Sequence, residues 1–160
     1  MSIGRFLCGV AALIYNPESE RYLLMRRSEA KDYAAGEWES VTGRVDQGEN
    51  YTQAVLREVR EETGAEVQVE QLLGLTHFYR GAEMPENELL GVMFAVNLRD
   101  PIAVHMDEEH SEMRWATAEE ADALLPEGHW LRPLITRAER LRRELPRDAQ
   151  ARLRKEGWEF

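Results

Sequence analysis

Cysteine is almost absent from this chain, Cys8 being its only one. An intramolecular disulfide is therefore excluded, and with it the small secreted scaffolds held together by such bridges. Cys8 lies in the apolar run Phe6–Tyr15 and reads as a buried thiol in a reducing compartment. No apolar run approaches the roughly 18 residues that cross a bilayer. No secretory leader is recognisable, since a single basic residue, Arg5, precedes alternating sequence without a small-residue cleavage site. The expectation is a cytoplasmic protein without membrane contact. Positive charge is scarce too: 20 Lys and Arg stand against 30 Asp and Glu, a formal net charge of −10. Most of such a surface repels a phosphate backbone, which argues against nucleic acid as a partner. Internal repeats and low-complexity tracts are also missing, so a single compact domain is the default for 160 residues.

The basic residues that do occur are gathered late. From Arg132 to Lys155 nine stand against three acids. Two readings are open for this stretch, a solvated helix face laced with Arg–Glu pairs or a patch that collects polyanions. We divide the chain into a domain over 1–146 and a charged C-terminal extension over 147–160, in which Trp158 and Phe160 are candidates for a homodimer interface.

Strand-forming runs at Phe6–Tyr15 and Tyr22–Arg27 flank the turn residues Asn16-Pro17-Glu18-Ser19, which predicts a hairpin. Ser28–Glu37 is a polar loop, Trp38–Thr42 is short and extended, and Gly43–Asn50 leads into a helix over Tyr51–Thr63 that Gly64 can close in the left-handed conformation. Glu66–Tyr79 and Leu89–Leu98 suit strands, separated by the polar loop Gly81–Glu88, and Met113–Trp115 suits one more. Ala118–Leu125 and Leu131–Leu145 read as helices, the second ended by Pro146. Interleaved strands and helices predict the α/β class, a mixed sheet covered on both faces by helices.

The chemistry is concentrated in Arg57-Glu58-Val59-Arg60-Glu61-Glu62-Thr63-Gly64, where helical spacing puts Glu58, Glu61 and Glu62 on one face. Val55, Leu56 and Val59 fall on the adjacent arc, so the acids emerge at the rim of the core. Crowded, partly desolvated carboxylates raise one another's pKa unless a cation neutralises them. Oxygen ligands of this kind suit magnesium, with manganese as the alternative. Arginines are the rival partners, Arg57 and Glu61 being one turn apart, so these residues alone leave a metal site and a plain surface helix both open.

The wider spacing is more specific. Gly43, five residues, Glu49, seven residues, then Arg57 through Gly64 resembles the Nudix box, with Ala65 in place of the usual larger aliphatic residue at its end. The resemblance implies a Nudix-type α/β/α sandwich and a hydrolase in which Glu58, Glu61 and Glu62 hold catalytic metal, while Glu49 pairs with Arg57 to fix loop against helix. A later loop glutamate completes the set in some members. Here Glu109, in Asp107-Glu108-Glu109-His110-Ser111-Glu112, resembles the one in bacterial dihydroneopterin triphosphate diphosphatases, and we choose it over Glu112. The entry Trp38-Glu39-Ser40-Val41-Thr42-Gly43 resembles the same subfamily. Carried over by position, Arg26, Thr42 and His110 contact substrate, with Arg5 as a phosphate contact and Trp38 stacking on a base or pterin ring. Each has a structural rival: strand-end charge for Arg26, turn residue for Thr42, loop hydrogen bonding for His110, core edge for Trp38.

The activity implied is release of diphosphate from a nucleoside triphosphate or a related pterin triphosphate. Alternatives are another nucleoside diphosphate linked to a small moiety (nucleotide sugar, coenzyme A or dinucleoside polyphosphate), or a catalytically silent nucleotide sensor. Neither the proline associated with ADP-ribose cleavage nor the zinc-binding cysteines of NADH diphosphatases is present.

Overall fold

The structure, a computed structural model, describes residues 4–100 and 104–159. Its described strands are β1 (Leu7–Asn16), β2 (Arg21–Arg27), β3 (Trp38–Glu39), β4 (Val41–Arg44), β5 (Val67–Tyr79), β6 (Glu88–Leu98) and β7 (His110–Ala116). The helices are α1 (Tyr51–Thr63), α2 (Ala118–Leu124), α3 (Leu131–Glu144) and α4 (Arg147–Glu156). The sheet runs β3-β2-β1-β6-β5, with β4 on β1 and β7 on β2. β1 and β6 are parallel and the other pairs antiparallel, so the sheet is mixed as expected.

Each face of the sheet buries its own apolar cluster. On one side Val10, Ala12, Ile14, Phe94 and Val96 pack with Ala54, Val55 and Val59 of α1. On the other, Leu13, Tyr15, Leu24 and Ala95 pack with Ala121, Leu131, Ile135 and Ala138 of α2 and α3. The alternation along β1 is what divides its residues between the two clusters. Each fully buried Val or Leu contributes about 1.5–3 kcal/mol of transfer free energy. These two layers fix where α1 lies.

The β1–β2 hairpin forms where predicted, with the Asn16 side chain accepting from Glu18 N at 2.9 Å, but it parts early. β1 pairs with β2 only at Tyr15 and Asn16, and further along the same edge Gly9–Ala12 pair with β4 instead. The chain crosses from β2 to β1 at Ser40, between β3 and β4. That split in the sheet is where the acidic face of α1 comes out.

α1 is stabilised at both ends. Asn50 accepts from Gln53 N while the Gln53 side chain accepts from Asn50 N, a reciprocal cap that satisfies a free donor. At the other end Gly64 has φ 67° and donates to Arg60 O, the left-handed stop expected of it. A Cβ there would also lie 2.2 Å from the His105 ring, which would have to turn aside. Ala65 is buried in the α1 cluster, small but packed.

Two differences from the sequence reading stand out. β7 extends over seven residues instead of three, because its pairing with the whole of β2 carries it past the apolar Met113–Trp115 centre. The segment after Pro146 is helical and lies against β5, where Arg154 pairs with the buried Glu70. Trp158 is partly buried and packs against the α1 cluster. Phe160 lies outside the described residues. Among the described residues, no helix is long and apolar enough to cross a membrane.

Candidate active site

Glu58 is placed by a glycine and an arginine. A Cβ on Gly43 would sit 1.9 Å from Glu58 Cδ, so the carboxylate occupies the space a side chain would take. Glu58 Oε1 accepts from Arg44 N at 3.1 Å and from Arg57 Nη1 at 2.9 Å. Burial nonetheless raises its pKa, the Arg57 contacts opposing that rise only in part. Arg57 joins the whole turn: Nε and Nη2 grip the two Glu49 oxygens at 2.9 and 3.0 Å, Nη2 donates to Arg44 O, and Nη1 reaches Glu61 Oε2 at 3.0 Å. The fork holds the Glu49 carboxyl below its ordinary pKa. The expected Glu49–Arg57 clasp is therefore present, and the rival Arg57–Glu61 pair is present beside it.

Glu62 has no such help. It is buried, and its Oε2 has no hydrogen-bond partner. Desolvation, then repulsion from Glu39, Asp107, Glu58 and Glu109, pushes its pKa up to about 9. A buried carboxylate oxygen with neither donor nor countercharge, faced by four other acids, fits a hard dication, which would offset the repulsion that raises this pKa. Glu58 and Glu62, with Glu61 at the solvent edge, are the residues of α1 that would hold it. Among the described residues no three acids are drawn together to ligand distance, Glu58 and Glu61 being turned to Arg57.

The opposite wall is the loop before β7. Glu109 is half exposed and its Oε2 meets Lys31 Nζ at 2.5 Å. His110 is buried, with Nε2 2.9 Å from Glu39 Oε1 and Nδ1 2.7 Å from Asp107 Oδ1. Burial alone would pull the imidazole down, but the bonds to Glu39 and Asp107 outweigh it and hold the pKa above the ordinary value. Glu39 also accepts from Arg27 Nη1 at 2.8 Å and from Thr42 Oγ1 at 3.3 Å.

Glu39, Glu58, Glu61, Glu62, Asp107 and Glu109 line a cavity of about 780 Å³, within the ~300–1,000 Å³ usual for small-molecule sites. Gly9, Ala11, Gly91 and Met93 line it from the central strands, and Tyr33, Trp38, Phe78 and Trp130 supply aromatic wall. Tyr33 and Phe78 lie near parallel, 20° apart with centroids at 6.4 Å, and the Arg80 guanidinium stands over the Tyr33 ring at 5.8 Å. Acid and aromatic surface thus share one chamber.

The NUDIX domain model matches residues 6–138, most of the chain. The chain belongs to the Nudix family. It is 40% identical to the dihydroneopterin triphosphate diphosphatase of Escherichia coli K12 over 63 residues, which span 39% of this chain and 39% of that protein. Arabidopsis thaliana Nudix hydrolase 6 is 27% identical over 115 residues, 70% of this chain and 39% of the relative. Both matches leave more than half of the relative's length uncovered. Among solved structures, the MutT protein of Methanosarcina mazei Go1 superposes with a TM-score of 0.70 at 28% identity, covering 90% of this chain and all of that one. The E. coli dihydroneopterin triphosphate pyrophosphohydrolase has a TM-score of 0.59 at 23% identity, over 84% of this chain and 94% of its own, and shares the fold.

Within this Nudix chamber the structure gathers Glu58, Glu61, Glu62, Glu109, Trp38 and Thr42. Arg26, Arg5 and His110 are not among its lining residues. Arg26 donates to Gly36 O at 2.9 Å and faces Glu29 outside the chamber. Arg5 is exposed ahead of β1, and His110 is sealed between two carboxylates, leaving neither nitrogen for a ligand. Arg27 lines the chamber where Arg26 does not, since strand neighbours face opposite ways. Sequence reasoning passed over Glu39, Arg27, Lys31, Asp107, Tyr33 and Phe78. Two of them carried a signal: Glu39 stands within the entry Trp38–Gly43 as a charged residue among strand formers, and Asp107 opens the acidic segment Asp107–Glu112.

Proposed function

We infer that this Nudix protein is a metal-dependent hydrolase that cleaves a diphosphate linkage in a nucleoside triphosphate or a related pterin triphosphate, releasing diphosphate. The observation that carries this reading is the unpartnered, buried Glu62 carboxyl, which shares with Glu58, Glu61 and Glu109 the lining of a chamber with aromatic walls. Glu58, Glu61 and Glu62 would hold magnesium, or manganese, with Glu109 completing the set from the loop, and the ion would supply screening of the phosphate oxygens and a lowered pKa for water. Lys31 and Arg44, both lining the chamber, meet the phosphates, and Thr42 orients them. Tyr33, Phe78 and Trp38 offer faces on which a base or pterin ring stacks. Arg26, Arg5 and His110 take no substrate contact in this reading.

The similarity to the E. coli dihydroneopterin triphosphate diphosphatase supports the triphosphate class. The test is turnover of nucleoside triphosphates, pterin triphosphate and nucleotide sugars with magnesium, followed by phosphate and diphosphate release beside Glu58→Gln and Glu62→Gln. Diphosphate released by the native protein and not by the variants is expected. Tight nucleotide binding with no turnover across the panel would refute the enzyme.

A further inference from the structure

We propose that His110 is a positioning residue, which staples the loop carrying Glu109 to β3 and so sets that carboxylate opposite Glu62. The proposal rests on the functional reading of Glu109 given above, but the staple itself stands on geometry. His110 connects two elements far apart in the chain, Glu39 on β3 through Nε2 and Asp107 in the loop through Nδ1, at 2.9 and 2.7 Å. With its side chain 1% exposed, the ring has no solvent to turn toward. Both ring nitrogens lie within hydrogen-bond distance of carboxylate oxygens, so the ring spans its two partners and fixes them at a set separation.

Glu109 is held on one side by this knot and on the other by a backbone bond that extends the β2–β7 pairing. Its N–H donates at 3.0 Å to Asp107 Oδ1, the oxygen that also meets His110, and its C=O accepts from Ser28 N at 2.8 Å. Glu39 in turn is anchored by Arg27 Nη1 and Thr42 Oγ1, so the far end of the staple is rooted in the sheet. Released from His110, Asp107 keeps only a local turn, and the loop loses its tie to β3. The Glu109 carboxylate is then positioned only by its pair with Lys31, and its backbone is freer to move.

The decisive experiment reads the loop without metal or substrate. In His110→Asn, amide hydrogen exchange at Ser28 and Glu109 speeds up, while Val55–Val59 in α1 and Leu13–Tyr15 in β1 keep native protection. Unchanged exchange at Ser28 and Glu109 in a folded variant overturns the staple. Should His110→Asn fail to fold, Asp107→Ala cuts the same link from its partly buried end and is read at Ser28 alone, because it also removes the acceptor of Glu109 N–H. Hydrogen exchange stays informative even if Glu109 turns out to have no catalytic part.

Coupling to function is read by a double-mutant cycle. His110→Asn lowers kcat and weakens Mn2+ binding, followed by free-ion paramagnetic resonance, by about 10- to 100-fold with KM little changed. In the Glu109→Gln background the same substitution adds little to either loss. Additive losses would overturn the assignment of His110 to Glu109. A Glu109→Gln protein with native turnover and Mn2+ binding would instead refute the role given to Glu109 under the proposed function.

Discussion

Replacing Gly43 by alanine tests whether the Nudix-box glycine is there for the carboxylate it touches. Gly43 is absent from the positive-φ positions, so alanine meets no backbone penalty and the entire effect comes from space. The new methyl would lie 1.9 Å from Glu58 Cδ and 2.1 Å from Oε1, whereas non-bonded carbons rest at about 3.5–4.0 Å. The carboxylate must therefore retreat by roughly 1.5 Å, a displacement larger than one that already costs an enzyme about 100-fold in rate. Moving Glu58 also breaks its bonds to Arg44 N and Arg57 Nη1. Because the displaced group regains some water, we expect a net loss near that of one charged hydrogen bond, about 1.5–3 kcal/mol. For a protein of this size that lowers Tm by about 3–12 °C. The assay pairs calorimetry with diphosphate release and Mn2+ binding, and uses Gly48→Ala as the control. Gly48 has φ 87° and nothing within 4 Å, so its alanine variant costs stability through strain and leaves turnover intact. A Gly43→Ala protein with native Tm and native turnover would refute the steric argument.

Glu62, with its pKa near 9, carries a proton at pH 7.5 before metal binds, so calorimetry in buffers of different ionisation enthalpy should find about one proton released per Mn2+ bound. The sign for folding follows from the same shift: the native state holds a proton that the unfolded chain gives up, so the metal-free protein loses stability as pH rises from about 4.5 toward 9. Glu62→Gln should flatten that slope and raise Tm at pH 8, and an unchanged slope would contradict the burial argument. Arg57→Lys keeps the charge but loses the fork, and is expected to lower kcat about 10- to 100-fold with KM little altered. Glu159 accepts from Tyr51 N at 2.9 Å and Thr52 N at 2.8 Å, so Glu159→Ala should cost about 0.5–2 kcal/mol of α1 capping, seen as a lower Tm.

The parts of this structure legible in the sequence are those whose cause is local. The 3.6-residue spacing of Ala54, Val55 and Val59 and the glycine at position 64 define α1 without reference to anything else. Glu58 and Glu62 follow from the same spacing, and the distance from Gly43 adds a contact that only the fold explains. What the sequence hides is set at long range. α4 has little apolar face of its own and depends on Glu70 and the α1 cluster, which receive Arg154 and Trp158. The choice between Arg26 and Arg27 turns on which way a strand residue points, and β2 carries an irregularity between those two residues where it pairs with β7. A one-residue slip there exchanges an outward arginine for one inside the chamber. For His110 the long-range partner is the hidden part: beside a loop glutamate it resembles a ligand contact, and only the fold brings Glu39 against its far nitrogen.

The tie between Glu159 and the first turn of α1 bears on the order in which the protein is made. Thr52 leaves the ribosome 107 residues before the carboxylate that accepts its N–H, an interval of about 5 to 20 seconds at ordinary elongation rates. Throughout that interval the helix bearing Glu58 and Glu62 must stand with the donors of Tyr51 and Thr52 turned to water and without the indole of Trp158 beneath it. A nascent chain arrested short of Glu159 would therefore present this helix with its first turn uncapped, a readier target for proteases than one in which Glu159 is in place.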